Sequence, residues 1–216
     1  MKKELFFRRY DVDREDVINR IVQEKGTDAI PILIEQLESP DPQVSDIADE
    51  ALMLLAYEGK DIIMNHFKER FSLKKRDDVT LLYLAQILAH IKSTEIVPYI
   101  QKMFDMFSDE RAAPLLIECL LKVTGDKKYL DMLYAYSQDI EFEEIIIMAL
   151  GDFPSKNSLD RLMELYELSS DKSIKSLILE STLKILFSDI ELVSYVNQRS
   201  PEISEKLKWA LKNTNF

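Results

Sequence analysis

Few residues in this chain have the types and spacing to do chemistry. His66 and Glu69 stand three apart, so on a helix they share one face and could bind a metal or pass a proton. A di-metal carboxylate site would need a second such pair and further carboxylates facing it. His90 is the other histidine of the chain. Cys119 is the single cysteine, and no histidine is expected close to it in its own segment, so it reads as a buried thiol rather than a nucleophile. No glycine-rich phosphate loop and no GxSxG elbow occurs. Carboxylates are what the chain has in quantity. Asp46, Asp49, Glu50, Glu118, Glu143, Glu144 and Glu180 are the candidates for recognising a positively charged partner.

Composition narrows the classes of function. Acidic residues number 39 against 28 basic ones, giving a net charge of −11. That field repels nucleic acid and anionic membrane and attracts cations and basic proteins. Apolar residues make up 46% and charged residues 31%, the balance of a globular chain. Only 4 glycines and 7 prolines occur in 216 residues, too few for the turns of an all-β protein. A single cysteine excludes a disulfide framework and a cysteine-rich zinc site. No run of 18 apolar residues exists, and MKKELFFRRYDVDRED lacks the apolar stretch of a signal peptide. A reducing cytoplasm is the expected compartment.

The elements that must position the carboxylates follow from an internal repeat. Ile30, Leu33, Ile34 and Leu37 lie on one helical face. SPDP then ends the helix, with Asp41 as the next N-cap and Pro42 at the first helical position. A second apolar face follows, formed by Ile47, Ala48, Ala51, Leu52 and Leu55. The leading residue of the first helix recurs as Ile30, Ile63, Val97, Leu130, Leu159 and Leu192, at intervals of 33, 34, 33, 29 and 33. Three positions on stand Leu33, His66, Ile100, Leu133, Leu162 and Tyr195, so His66 reads as a semi-buried core histidine. Gly26, Gly59, Ser93, Asp126, Ser155 and Ser188 mark the joints, and all four glycines are expected near such joints. Within the second helices a small residue recurs as Ala51, Ala85, Cys119, Ala149, Ser181 and Ala210, which lets helices cross closely. The spacing predicts an opening helix over about 13–25. Helix pairs follow over roughly 27–58, 60–92, 94–124, 126–153, 156–187 and 189–213, which must stack to bury their faces.

The first full unit resembles a HEAT repeat, of the short type found in phycobilisome-lyase-like repeat proteins. Ala29-Ile30-Pro31, Asp41, Val44, Ala48, Ala51, Leu52 and Leu55 carry the resemblance, and Pro98 repeats the first-helix proline. The family usually sets an arginine after the turn valine, where this chain has Ser45. The tetratricopeptide pattern, of similar period, fits worse, because its Trp-Leu-Gly-Tyr positions are not filled. The resemblance implies an all-α fold: a right-handed α-solenoid, or α-α superhelix, of about six HEAT-like helix pairs. Residues 1–26 would form an N-terminal arm and capping helix, and 27–216 the repeat solenoid. Lys2, Lys3, Phe6, Phe7, Arg8, Arg9 and Tyr10 would cover the exposed end of the first pair or serve as a partner-binding arm.

The resemblance further implies that second helices line a concave side. One position before each small residue come Glu50, Leu84, Glu118, Met148, Glu180 and Trp209. Five before it come Asp46, Thr80, Pro114, Glu144, Ser176 and Glu205, with Asp49 and Glu143 beside them. The seven carboxylates would form an acidic groove, with Leu84, Ile117, Met148 and Leu179 as apolar patches between them; the alternative is an ordinary solvated face. Lys68, Arg70, Lys74, Lys75 and Arg76 read as a solvated loop that balances Asp77 and Asp78. Tyr99, Tyr134, Tyr166 and Tyr195 should lean on neighbours with the hydroxyl outward. The family consists mainly of scaffolds that hold other proteins, with a few enzymes. Its iron-binding members use repeated His-Glu dyads, whereas here Phe67 follows His66 and Ile91 follows His90. Its DNA glycosylases use a basic cleft, whereas Trp209 here falls in the terminal pair of an acidic chain.

The expectation is therefore a non-catalytic interaction scaffold, not an enzyme, that offers an acidic groove to a basic protein or peptide segment and needs no cofactor. Two alternatives stand beside it: an inhibitor or immunity protein for a basic toxin or nuclease, and a lyase or metalloenzyme on the HEAT scaffold.

Overall fold

A computed structural model of the chain describes residues 4–137 and 139–213; for 4–13 and for 210, 211 and 213 it describes the backbone. The basic-aromatic arm at residues 2–10 therefore lies outside what is described of side chains. All regular structure among the described residues is helical. The chain groups into two compact units, 1–126 and 127–216.

In the first unit α1 (Glu4–Lys25) is followed by three helix pairs. These are α2 (Ile30–Gln36) with α3 (Pro42–Leu55), α4 (Lys60–Ser72) with α5 (Val79–His90), and α6 (Val97–Met103) with α7 (Ala112–Thr124). The starts follow from local chemistry. Asp41 caps α3 by accepting from the Gln43 N–H at 3.0 Å, with Pro42 beside it. Asp78 caps α5 through the Leu81 N–H at 3.2 Å. Gly125 ends α7 in the left-handed conformation, φ +66°, which a side chain would resist.

Ile30, Leu33, Ile34, Leu37, Ile63, Ile100 and the second-helix Ala48, Ala51, Leu52 and Leu55 are all buried, as the repeat requires. The third pair departs by one position. Thr94–Ile96 forms a 3-10 turn ahead of α6, so Ile96 enters the core and Val97 is half-buried.

The second unit holds α8 (Lys127–Tyr134) with α9 (Glu143–Asp152), α10 (Lys156–Leu168) with α11 (Lys172–Ser188), and α12 (Leu192–Arg199) with α13 (Pro201–Asn213). Ser155 caps α10 through the Ser158 N–H at 3.0 Å, and Asp171 caps α11 through the Ser173 N–H at 2.6 Å. Leu130, Leu133, Leu159, Leu162, Leu192 and Val196 fill the core from the first helices.

The small residues Ala51, Ala85 and Cys119 of the first unit, and Ala149 and Ser181 of the second, are buried. Gly151 differs from the joint glycine expected. It lies in the last turn of α9, where an added Cβ would stand 2.9 Å from the Ser181 Cβ and 3.2 Å from its Cα. Close approach of α9 and α11, not a turn, explains it.

First helices of successive pairs in the second unit are tied by polar contacts. Arg161 pairs with Asp131 at 2.6 Å and lies 4.4 Å over the Tyr134 ring, while the Tyr134 hydroxyl donates to Glu164 at 2.8 Å. Tyr195 donates to Asp160 at 2.7 Å. In the first unit Tyr99 sits edge-on to Phe67 and Phe71. Tyr166 corrects the outward-hydroxyl expectation: it is buried, and its hydroxyl accepts from Lys206.

Candidate functional surface

The seven sequence candidates divide between the units. Asp46, Asp49, Glu50 and Glu118 belong to the first, and Glu143, Glu144 and Glu180 to the second.

Asp46, Asp49 and Glu50 come together on α3. Asp49 is half-buried, and its carboxyl is held above the ordinary range by burial first, then by the charges of Asp46 and Glu50. From α5, Tyr83 faces the same carboxylates: burial, then Asp49 and Asp46, push its phenol up. Side chains of two second helices thus meet at one patch. Glu50 is partly neutralised by Arg14, which donates to it at 2.9 Å. Asp46 is exposed and has no ion pair among the described residues.

Glu118 does not join them. Its side chain is only 13% exposed and is tied to Lys122 of the same helix at 2.7 Å. Leu84 and Ile117, expected as apolar patches between the acids, are instead buried in the core. Both helices are packed on more than one side, so their apolar residues have no free face. Cys119 is buried too, and burial raises its thiol far above the ordinary range.

In the second unit Glu143 and Glu144 open α9, near the capping Asp171 of α11. Burial, then Asp171 and Glu144, hold the Glu143 carboxyl up. Glu180 stands exposed on α11 without an ion pair among the described residues. Met148 is exposed and Leu179 half-buried.

The basic stretch is not a simple solvated loop. Arg70 donates to both oxygens of Asp78, at 2.8 and 3.2 Å, and to Glu38 of the preceding pair. Thr80 also donates to Glu38, at 3.0 Å, so Glu38 is held below the usual carboxylate range by Thr80, then by Arg70. Lys68 lies 3.6 Å from Glu95, which Lys60 also reaches at 3.2 Å. Only Lys74, Lys75 and Arg76 remain as exposed loop cations. The signal for this clasp was Asp78, which the helix-start pattern could have marked as the α5 cap.

His66 is half-buried. His90 is exposed and edge-on to Tyr57, with ring centres 6.5 Å apart. Among the described residues no group of three or more His, Cys, Asp or Glu side chains could hold a metal, and no helix is long and apolar enough to cross a membrane.

No protein-family model and no curated protein sequence matches the chain. Among solved structures the chain is similar to a chain in the complex of CpcE and CpcF of phycocyanin lyase from Nostoc sp. PCC7120. The TM-score is 0.52 at 16% identity, covering 86% of this chain and 67% of that one. The fold is thus the all-helical, HEAT-like repeat that the sequence resembled. The same finding corrects the expectation of a chain that is not an enzyme, because the structure it resembles is part of a lyase.

Proposed function

We propose that this chain works by holding another protein, and that the α3 acids Asp46, Asp49 and Glu50 recognise a basic segment of it. The observation that carries this reading is the cluster on α3: Asp46, exposed and without an ion pair among the described residues, stands on one helix with Asp49 and Glu50, and burial, then these like charges, hold Asp49 above its ordinary range. A basic segment would relieve that repulsion on binding. Such a patch mainly raises the on-rate and sets partner choice. Packed helix pairs of the first unit place these acids before binding, which keeps the ordering cost low. Glu143, Glu144 and Glu180 form the corresponding acids of the second unit. Glu118, tied to Lys122, contributes least.

The likeness to a phycocyanin lyase chain supports a second element: the held protein is the object of a lyase reaction in which this chain takes part. Capture from native lysate tests both. Binding to wild-type chain should fall away between low and high salt, and Asp46→Lys with Asp49→Lys should abolish it. Salt-independent binding, or binding retained by the variant, would contradict the acidic recognition. A chain-dependent change in the mass of the captured protein is expected of a lyase assembly, and an unchanged mass would contradict that element alone.

A further inference from the structure

The second unit carries a cavity that the acidic surface does not use. It lies among α11, α12 and α13, has a volume of about 130 Å³, and is walled by Leu186, Ile190, Val193, Val196 and Leu207. An apolar cavity of roughly 150 Å³ stays dry and takes a ring the size of benzene. On one side the Ser204 hydroxyl donates to Asn197, so these polar groups satisfy each other and ask nothing of a ligand. Lys208 is the one charged residue lining the cavity, and Lys212 stands one turn further along α13. Neither lysine has an ion pair among the described residues. The apolar surface continues beyond the mouth: Phe187 is 72% and Ile190 75% exposed.

From this we infer that the cavity is an anchor site for an acidic protein segment bearing one aromatic side chain, whose ring enters among Leu186, Val193 and Leu207 while its carboxylates meet Lys208 and Lys212. Lys208 on the lining and Lys212 beyond it set the sign of the partner along α13, and because the exposed Asp189 and Glu191 flank Ile190, the partner's carboxylates belong on the α13 side. The exposed Phe187 and Ile190 favour a peptide over a free small acid, because a single ring would fill the cavity and leave them uncovered. A buried aromatic anchor inside an apolar rim is the usual source of binding energy at such a contact. This site is independent of the α3 acids, and its partner has the opposite charge.

The test uses the full-length chain and an acetylated peptide with one central phenylalanine between pairs of glutamates, followed by amide chemical shifts. Shifts should centre on α11 to α13. Replacing the phenylalanine by alanine should weaken binding about 10-fold or more, from the apolar area lost. Val193→Phe, which fills the cavity, should do the same. Lys208→Glu, an exposed change that leaves the core intact, should weaken binding several-fold, and more at low salt. Failure of the peptide to bind at low salt would overturn the proposal. So would equal affinity of the alanine peptide, full affinity of either variant, or a site that takes 3-phenylpropionate but not the peptide.

Discussion

Arg70 grips Asp78 through Nε at 3.2 Å and Nη2 at 2.8 Å, while the same carboxylate, 1% exposed, caps α5 through the Leu81 N–H. The pair fixes the α4–α5 turn and, through Glu38, joins it to the preceding pair. Removing one partner of a buried pair leaves the other charge uncompensated. Arg70→Ala should therefore cost about 3 kcal/mol in urea unfolding. Asp78→Ala should cost at least as much, because it also removes the cap. Losses under about 1 kcal/mol would mean the clasp is a surface feature.

Gly151 and Ser181 set the separation of α9 and α11. Gly151→Ala should destabilise by about 1–3 kcal/mol, since the new methyl meets helix backbone that cannot swing aside. Ala is otherwise the better helix former, by about 1 kcal/mol, so a gain in Tm would show that the helices are not this close.

Asp49 predicts a pH dependence of definite sign. Its folded carboxyl sits above the unfolded value, so the folded chain binds more protons between the two values. Its contribution to stability is full below the unfolded value and is lost as pH rises through the folded one. Asp49→Asn should thus melt higher than wild type at neutral pH, by about 1 °C given partial solvent screening. The difference should vanish toward pH values below an ordinary aspartate. Thermal melts across that range check it, and a variant that melts lower at neutral pH would contradict it.

The Cys119 thiol, buried and pushed far up, should resist a thiol-specific reagent in the native chain and react fully in denaturant. Labelling at the same rate in both conditions would contradict the packing of α7.

The repeat was legible because it rests on local periodicity: Ile30, Ile63, Leu130, Leu159 and Leu192 all lead buried faces, and Asp41–Pro42 starts α3. Val97 was misplaced because a 3-10 turn shifts the register by one, and nothing in apolar spacing distinguishes Ile96 from Val97. The acids were only partly legible. Asp46 and Asp49 share a helix face, which spacing gives, but the tie from Glu118 to Lys122 and the burial of Leu84 and Ile117 depend on tertiary neighbours. Arg70 looked like one of several loop cations; its grip reaches Asp78 across the α4–α5 turn and Glu38 of the preceding pair, 32 residues back, contacts that apolar periodicity does not show.

The most direct measurement is a titration of the full-length chain with a lysine- and arginine-rich peptide, read residue by residue by amide shifts at two salt concentrations. Shifts should centre on Asp46, Asp49 and Tyr83, with affinity falling as salt rises and lost in the Asp46→Lys, Asp49→Lys variant. Shifts that avoid α3 and α5, or an affinity untouched by those reversals, would contradict it.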